Sequence, residues 1–142
     1  MRTSESVLVP VIPSEVFPLL VDLDAYPRWL PLVHAATPMG DDAWTVELRA
    51  RVGPFARSKQ LRMVRSETIA DRSVVFERAE VDGRDHARWV LRAEVVPVPE
   101  GSEVTMHLAY DGRLWTGGIL ERVLDEEIRR GRDGLISLCS TR

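Results

Sequence analysis

Three histidines, His34, His86 and His107, are the first candidates for proton transfer or metal binding. They lie far apart in the chain and show no metal-ligand spacing. His107 is out of phase with Met106 and Leu108, so it is expected to face solvent. The single cysteine, Cys139, sits on the last turn of an apolar helical stripe and reads as a small buried hydrophobe rather than a reactive thiol. No Gly-x-Ser-x-Gly elbow marks a nucleophile, and no Gly-x-Gly-x-x-Gly or phosphate-loop pattern appears. Gly117-Gly118 opens a helix but lacks the lysine and repeat spacing of such loops. No catalytic residue can be named, and neither a metal nor a cofactor is expected.

Polar residues in phase with core positions carry more information. Lys59 and Arg65 share the face of Leu61 and Met63, and Arg78 shares that of Val74 and Phe76. A charge on an inner sheet face is costly unless it is paired or lies at a wet mouth. These residues either end their strands where the sheet splays into water, or contact a carboxylate, phosphate or enolate on a ligand. The candidate lining residues of an apolar pocket are Trp29, Leu48, Leu61, Met63, Phe76, Trp89, Leu91, Met106, Tyr110, Leu124 and Ile128. Aromatic and Met side chains suit an adaptable pocket, and equally a filled core. Trp44 is assigned to the core, and Tyr110 has the best claim to a polar contact, because a buried phenol needs a partner.

The elements that must position these residues follow from periodicity. Ser6 to Ile12 reads as a strand ending at Pro13, which suits a first helical turn. Val16, Leu19, Leu20 and Leu23 recur at helical spacing, although Pro18 removes a bond donor and predicts a short, irregular helix. Ala25 to Leu32 reads as a second short helix with Asp24 as N-cap. From residue 43 the period becomes alternating: Trp44, Val46, Leu48, Ala50 and Val52, then Leu61 and Met63, Val74 and Phe76, Trp89 to Val95, and Val104 to Tyr110. Turns are expected at Gly53-Pro54, at 71–73, at Asp82-Gly83 as a hairpin, and at 97–101. Over 114–140 the helical period returns, with Leu120, Leu124, Ile128, Gly131, Leu135 and Leu138 on one face. Glu121, Arg122, Asp125, Glu126, Arg129 and Arg130 form the other. Its i,i+4 ion pairs contribute only ~0.2–0.5 kcal/mol each.

The chain of 142 residues suits one domain with a full core. Apolar residues are 44% and charged residues 29%, which excludes bulk disorder. Nineteen cations, only one of them lysine, face 22 acids, for a net charge of −3. That leaves no basic excess for a nucleic-acid backbone. No run approaches the ~18 apolar residues of a membrane helix, and no signal core is seen at the start, so a cytoplasmic location is expected.

The order of elements implies an α+β fold: about six antiparallel strands curved around a long C-terminal helix, with two short helices after the first strand. With Val9-Pro10-Val11-Ile12-Pro13-Ser14-Glu15-Val16-Phe17, Leu20-Val21-Asp22-Leu23-Asp24-Ala25-Tyr26-Pro27-Arg28-Trp29-Leu30-Pro31 and Val52-Gly53-Pro54-Phe55, the chain resembles the START-like superfamily. Within it, the resemblance is to the polyketide cyclase/dehydrase and lipid-transport family. It implies a helix-grip fold and a small hydrophobic ligand, such as a lipid, quinone or polyketide, held between sheet and helix by a carrier or sensor. It also implies two alternatives: a cyclase, aromatase or dehydratase, in which Tyr110 or an inner-face arginine donates a proton or stabilises an oxyanion, and a protein-interaction module such as a toxin–antitoxin component. A homodimer is compatible with each. Gly131 and Gly134 depart from the pattern of a straight final helix and predict a bend or a close approach there.

Overall fold

The computed structural model describes residues 2–111 and 119–140. Its strands are β1 (Arg2–Val9), β2 (Val33–Pro38), β3 (Ala43–Val52), β4 (Phe55–Ile69), β5 (Ser73–Arg78), β6 (Arg88–Val98) and β7 (Gly101–Asp111). They form one antiparallel sheet in the order β1-β7-β6-β5-β4-β3-β2. Between β1 and β2 lie α1 (Pro13–Val16), α2 (Pro18–Val21) and a 3₁₀ helix (Leu23–Arg28), and α3 (Ile119–Ser140) ends the described chain. α3 packs on β1 and also reaches β3. These strands lie near opposite edges of the sheet, so the sheet must curl around one helix to bring both to it.

Alternation determines which face is inside. On β6, Trp89, Leu91, Ala93 and Val95 are buried, and on β7 Val104, Met106, Leu108 and Tyr110 face the same core. Leu124, Ile128, Leu135 and Cys139 of α3 close it, as the helical stripe predicts. The side chain of Leu120 and residues 112–118, including Gly117-Gly118, lie outside the described side chains and residues.

Several expectations are corrected. The first strand is Arg2–Val9 rather than 6–12; beyond it, the Val11 carbonyl accepts a bond from Ser102 Oγ at 2.7 Å instead of joining a ladder. The expected second helix is a 3₁₀ segment that ends at Arg28, and Asp24 does not cap it. Its Oδ1 accepts the Trp44 indole N–H at 2.9 Å. The sheet has seven strands, because Val33–Pro38 pairs with β3 as an edge strand. Only Val33 of that strand is fully buried, so no alternation betrayed it. β4 starts at Phe55, where Gly53-Pro54 turns the chain as expected and pairing continues through mostly exposed residues. Asp82-Gly83 is not a two-residue hairpin. It lies in a loop between Arg78 and Arg88, where Asp82 accepts the Arg84 N–H and contacts His86. Pro18 divides the first helix into two single turns, as its missing N–H requires.

Gly131 and Gly134 mark a close approach, though not to the sheet. A Cβ on Gly134 would stand 2.2 Å from the Trp29 carbonyl oxygen, and one on Gly131 2.4 Å from Leu30 Cδ1. The absent side chains let α3 lie directly on the segment that follows the 3₁₀ helix.

Candidate functional site

Between that segment and the concave face of the sheet lies a void of about 30 Å³. Leu23, Leu30 and Leu32 line it from above, and Val33, Val46, Leu48, Leu61, Met63, Trp89, Leu91 and Leu108 from the sheet. Of the residues expected from sequence, Leu48, Leu61, Met63, Trp89 and Leu91 come together here. Trp29, Phe76, Met106, Tyr110, Leu124 and Ile128 are buried in the core beyond the lining. Leu23, Leu30, Leu32, Val33, Val46 and Leu108 were not anticipated: the order of elements showed that a short helical segment covers the sheet but not which side chains meet beneath it.

Trp29 is tied into the scaffold: its Nε1 donates to the Leu19 carbonyl at 2.9 Å and its ring packs 4.7 Å from that of Tyr26. The Tyr26 hydroxyl donates to the Leu20 carbonyl at 2.8 Å, and burial raises its pKa so that it stays protonated. Phe76 meets Tyr26 and Trp44 edge-on. These aromatic rings hold the cover of the void in place.

Trp89 differs from Trp29 and Trp44, whose indole N–H groups are satisfied. Trp89 is 5% exposed, lines the void, and its Nε1 has no hydrogen-bond partner among the described residues. A buried donor left unpaired costs about 1–3 kcal/mol. Its ring lies 4.5 Å from the Tyr110 ring.

The three inner-phase cations divide. Arg65 does not reach the void: its guanidinium bonds Asp22 and Asp42 at 2.8 Å and the Val21 and Asp41 carbonyls, and it lies over the Trp44 ring. It staples the entry to the 3₁₀ helix to the β2–β3 turn. Arg78 is likewise engaged, by Glu80 at 2.9 Å, the Ala87 carbonyl and His86. Lys59 is half-buried, and desolvation, then the neighbouring Arg78, lowers its pKa.

On the convex face, Ser4 Oγ lies 2.7 Å from His107 Nδ1, and Glu94 3.7 Å from Nε2. This set has the residue types of a hydrolytic triad. Yet the carboxylate is beyond hydrogen-bond distance, and Ser4 and His107 pair within the β1–β7 ladder, whose amides bond across the strands. Among the described residues, no three His, Cys, Asp or Glu side chains gather as metal ligands, and no helix is long and apolar enough to cross a membrane.

A second concavity, of about 400 Å³, opens at the sheet edge between Pro31, the end of β3, Ala56, and Glu127 and Arg130 of α3. Glu127 is 4% exposed; desolvation raises its pKa against the pull of Arg130, 3.5 Å away. Sequence placed Arg130 on the outer helical face and gave Glu127 no role, since a helical wheel does not show what packs at its flank.

Comparison with known proteins agrees with this architecture. No curated protein matches the sequence. The chain is similar in structure to a START superfamily protein from Mycobacterium smegmatis, with a TM-score of 0.79 at 13% identity over 99% of this chain and 97% of that one. It is similar to the ZhuI aromatase/cyclase from Streptomyces sp. R1128, with a TM-score of 0.72 at 12% identity over 100% and 94%. It also matches about half of the di-domain aromatase/cyclase StfQ of the steffimycin biosynthetic pathway, with a TM-score of 0.71 at 13% identity over 99% of this chain and 51% of that one. The family model for polyketide cyclase/dehydrase and lipid transport matches residues 1–139. A curled antiparallel sheet closed by a C-terminal helix, and a family match over almost every residue, place the chain in the polyketide cyclase/dehydrase and lipid transport family.

Proposed function

We propose that this chain binds a small hydrophobic molecule, as a carrier or sensor, between the sheet and the segment that follows the 3₁₀ helix, and not against α3 as the sequence led us to expect, since no described α3 residue lines the void. The observation that carries the reading is a wholly apolar void lined by Trp89, whose buried indole N–H has no partner among the described residues. A ligand carbonyl or hydroxyl would satisfy that donor while its body replaces void with contact. The wall supplies no acid or base, which favours binding over catalysis. Ligand pockets usually enclose roughly 300–1,000 Å³. Binding is therefore coupled to displacement of the wall, for which the side chains of Met63, with its flexible thioether, Leu30 and Leu32 are the movable parts.

The test is a tryptophan-fluorescence titration with fatty acids, quinones and aromatic polyketides, run beside thermal melts. Saturable binding is expected. In Trp89→Phe, carbonyl-bearing ligands should lose roughly fivefold or more in affinity while the fold persists. Leu61→Trp, which fills the void from the sheet side at a cost of ~1–3 kcal/mol, should weaken all ligands. Absence of binding across the panel, or unchanged binding in both folded variants, would overturn the proposal.

A further inference from the structure

The groove at the sheet edge has a composition unlike the rest of the chain. β2 pairs with β3 only as far as Leu48, and a last bond from the Arg49 N–H to the Leu32 carbonyl closes that ladder. Beyond it the edge of β3 is left open, and α3 approaches there. Arg49, Arg51 and Arg130 line the opening with Glu127, against an apolar floor of Pro31, Ala50 and Ala56. Three arginine residues thus share the opening with one acid in a protein whose net charge is −3. Arg49 and Arg51 have no ion pair among the described residues, and Arg130 has only the 3.5 Å contact with Glu127.

The groove also adjoins the void along two stretches of backbone. Leu48 lines the void and Arg49, the next residue, lines the groove; Leu30 and Leu32 line the void and Pro31 between them lines the groove. The bond from the Arg49 N–H to the Leu32 carbonyl is the seam between void and groove, so one molecule places an apolar body inside and a polar end outside where that last bond of the ladder opens. Guanidinium groups hold carboxylate and phosphate through charge-assisted, bidentate bonds. Desolvation raises the Glu127 pKa, so this carboxyl group takes up a proton more readily than a free one, and once protonated it offers a hydrogen-bond donor.

We propose that the groove lined by Arg49, Arg51, Arg130 and Glu127 is a head-group site, and that the ligand is an amphiphile with an oxyanion head, a carboxylate or a phosphate monoester, on an apolar body. This assignment rests on the void being the seat of that body.

Titration calorimetry of the whole chain with decanoate, decyl phosphate, decanol, acetate and inorganic phosphate tests it. The two anionic amphiphiles should bind more tightly than decanol, and the short anions weakly. The Arg49→Gln/Arg51→Gln variant changes exposed side chains and should keep its melting temperature, yet lose roughly tenfold or more in affinity for decanoate and decyl phosphate with decanol unchanged. Equal binding of decanoate and decanol, insensitive to these arginines, would overturn the head-group site and leave the internal site standing. Inorganic phosphate binding as tightly as decyl phosphate would overturn the amphiphile assignment. No binding of decanol or of either anionic amphiphile would overturn the internal site and this proposal with it.

Discussion

Replacing Gly134 by alanine sets two effects of known size against each other. In an exposed helix the change stabilises by about 1 kcal/mol, because alanine loses less backbone freedom on folding. Here the new methyl would lie 2.2 Å from the Trp29 oxygen, 3.0 Å from its carbonyl carbon and 3.2 Å from its Cα. All three atoms are backbone, so no rotamer change relieves the contact. Trp29 is also braced, by its indole bond to Leu19 and its amide bond to Tyr26 at 3.0 Å. The helix must therefore move away by on the order of 1 Å, opening the packing around Leu30 and Leu135, and overpacking of this kind costs about 1–3 kcal/mol. A contact this short with braced backbone falls at the upper end of that range, about 2–3 kcal/mol, so the clash exceeds the propensity gain, for a net loss of about 1–2 kcal/mol and a fall in Tm of roughly 3–8 °C. Gly131→Ala is the control. Its methyl meets only Leu30 Cδ1, the end of a side chain that can rotate, so its net effect should stay within about 1 kcal/mol. Urea unfolding and calorimetric melts of both variants measure the difference. A Gly134→Ala protein as stable as wild type, or more stable than Gly131→Ala, would refute the packing of α3 on the Trp29 backbone.

Three further outcomes are expected. Arg65→Ala should lower stability by about 2 kcal/mol, since it strands Asp22 and Asp42 and the carbonyls of Val21 and Asp41; Arg65→Lys should recover only part of this in denaturant titration, and full recovery would contradict the bidentate role. Glu127 has its folded pKa above the ordinary 4.5, so the folded state holds the proton more tightly and stability falls as pH rises from about 4.5 through the folded pKa. Glu127→Gln removes that fall, so urea unfolding between pH 4 and 8 should show the variant gaining on wild type as pH rises; a constant difference would count against the buried carboxyl. Trp89→Phe should leave the unliganded protein within about 1 kcal/mol of wild type, because a lost ring volume is offset by removal of an unpaired donor; a loss of several kcal/mol would mean that the indole N–H is satisfied.

The alternation from residue 43 onward, with side chains repeating every two residues, was enough to identify five of the strands and their inner faces, and the stripe Leu124, Ile128, Leu135 set the buried face of α3. Those features are local, because each side chain's face follows from its own strand or helix. Proline acted locally too, and Pro18 broke the first helix as its chemistry requires. Edge strand β2 was illegible because its partner is the β3 backbone and its own side chains are mostly exposed. Arg65 and Arg78 looked like charges stranded on an inner face, and only the folded chain brings Asp22 and Asp42, or Glu80 and His86, to them. The two glycines announced an exception in the helix, but the reason, the Trp29–Leu30 backbone lying against them, joins residues a hundred positions apart. Glu127 and the arginines of the groove meet for the same reason: burial and charge pairing depend on which surfaces the curled sheet brings together, and that geometry is written in no single segment.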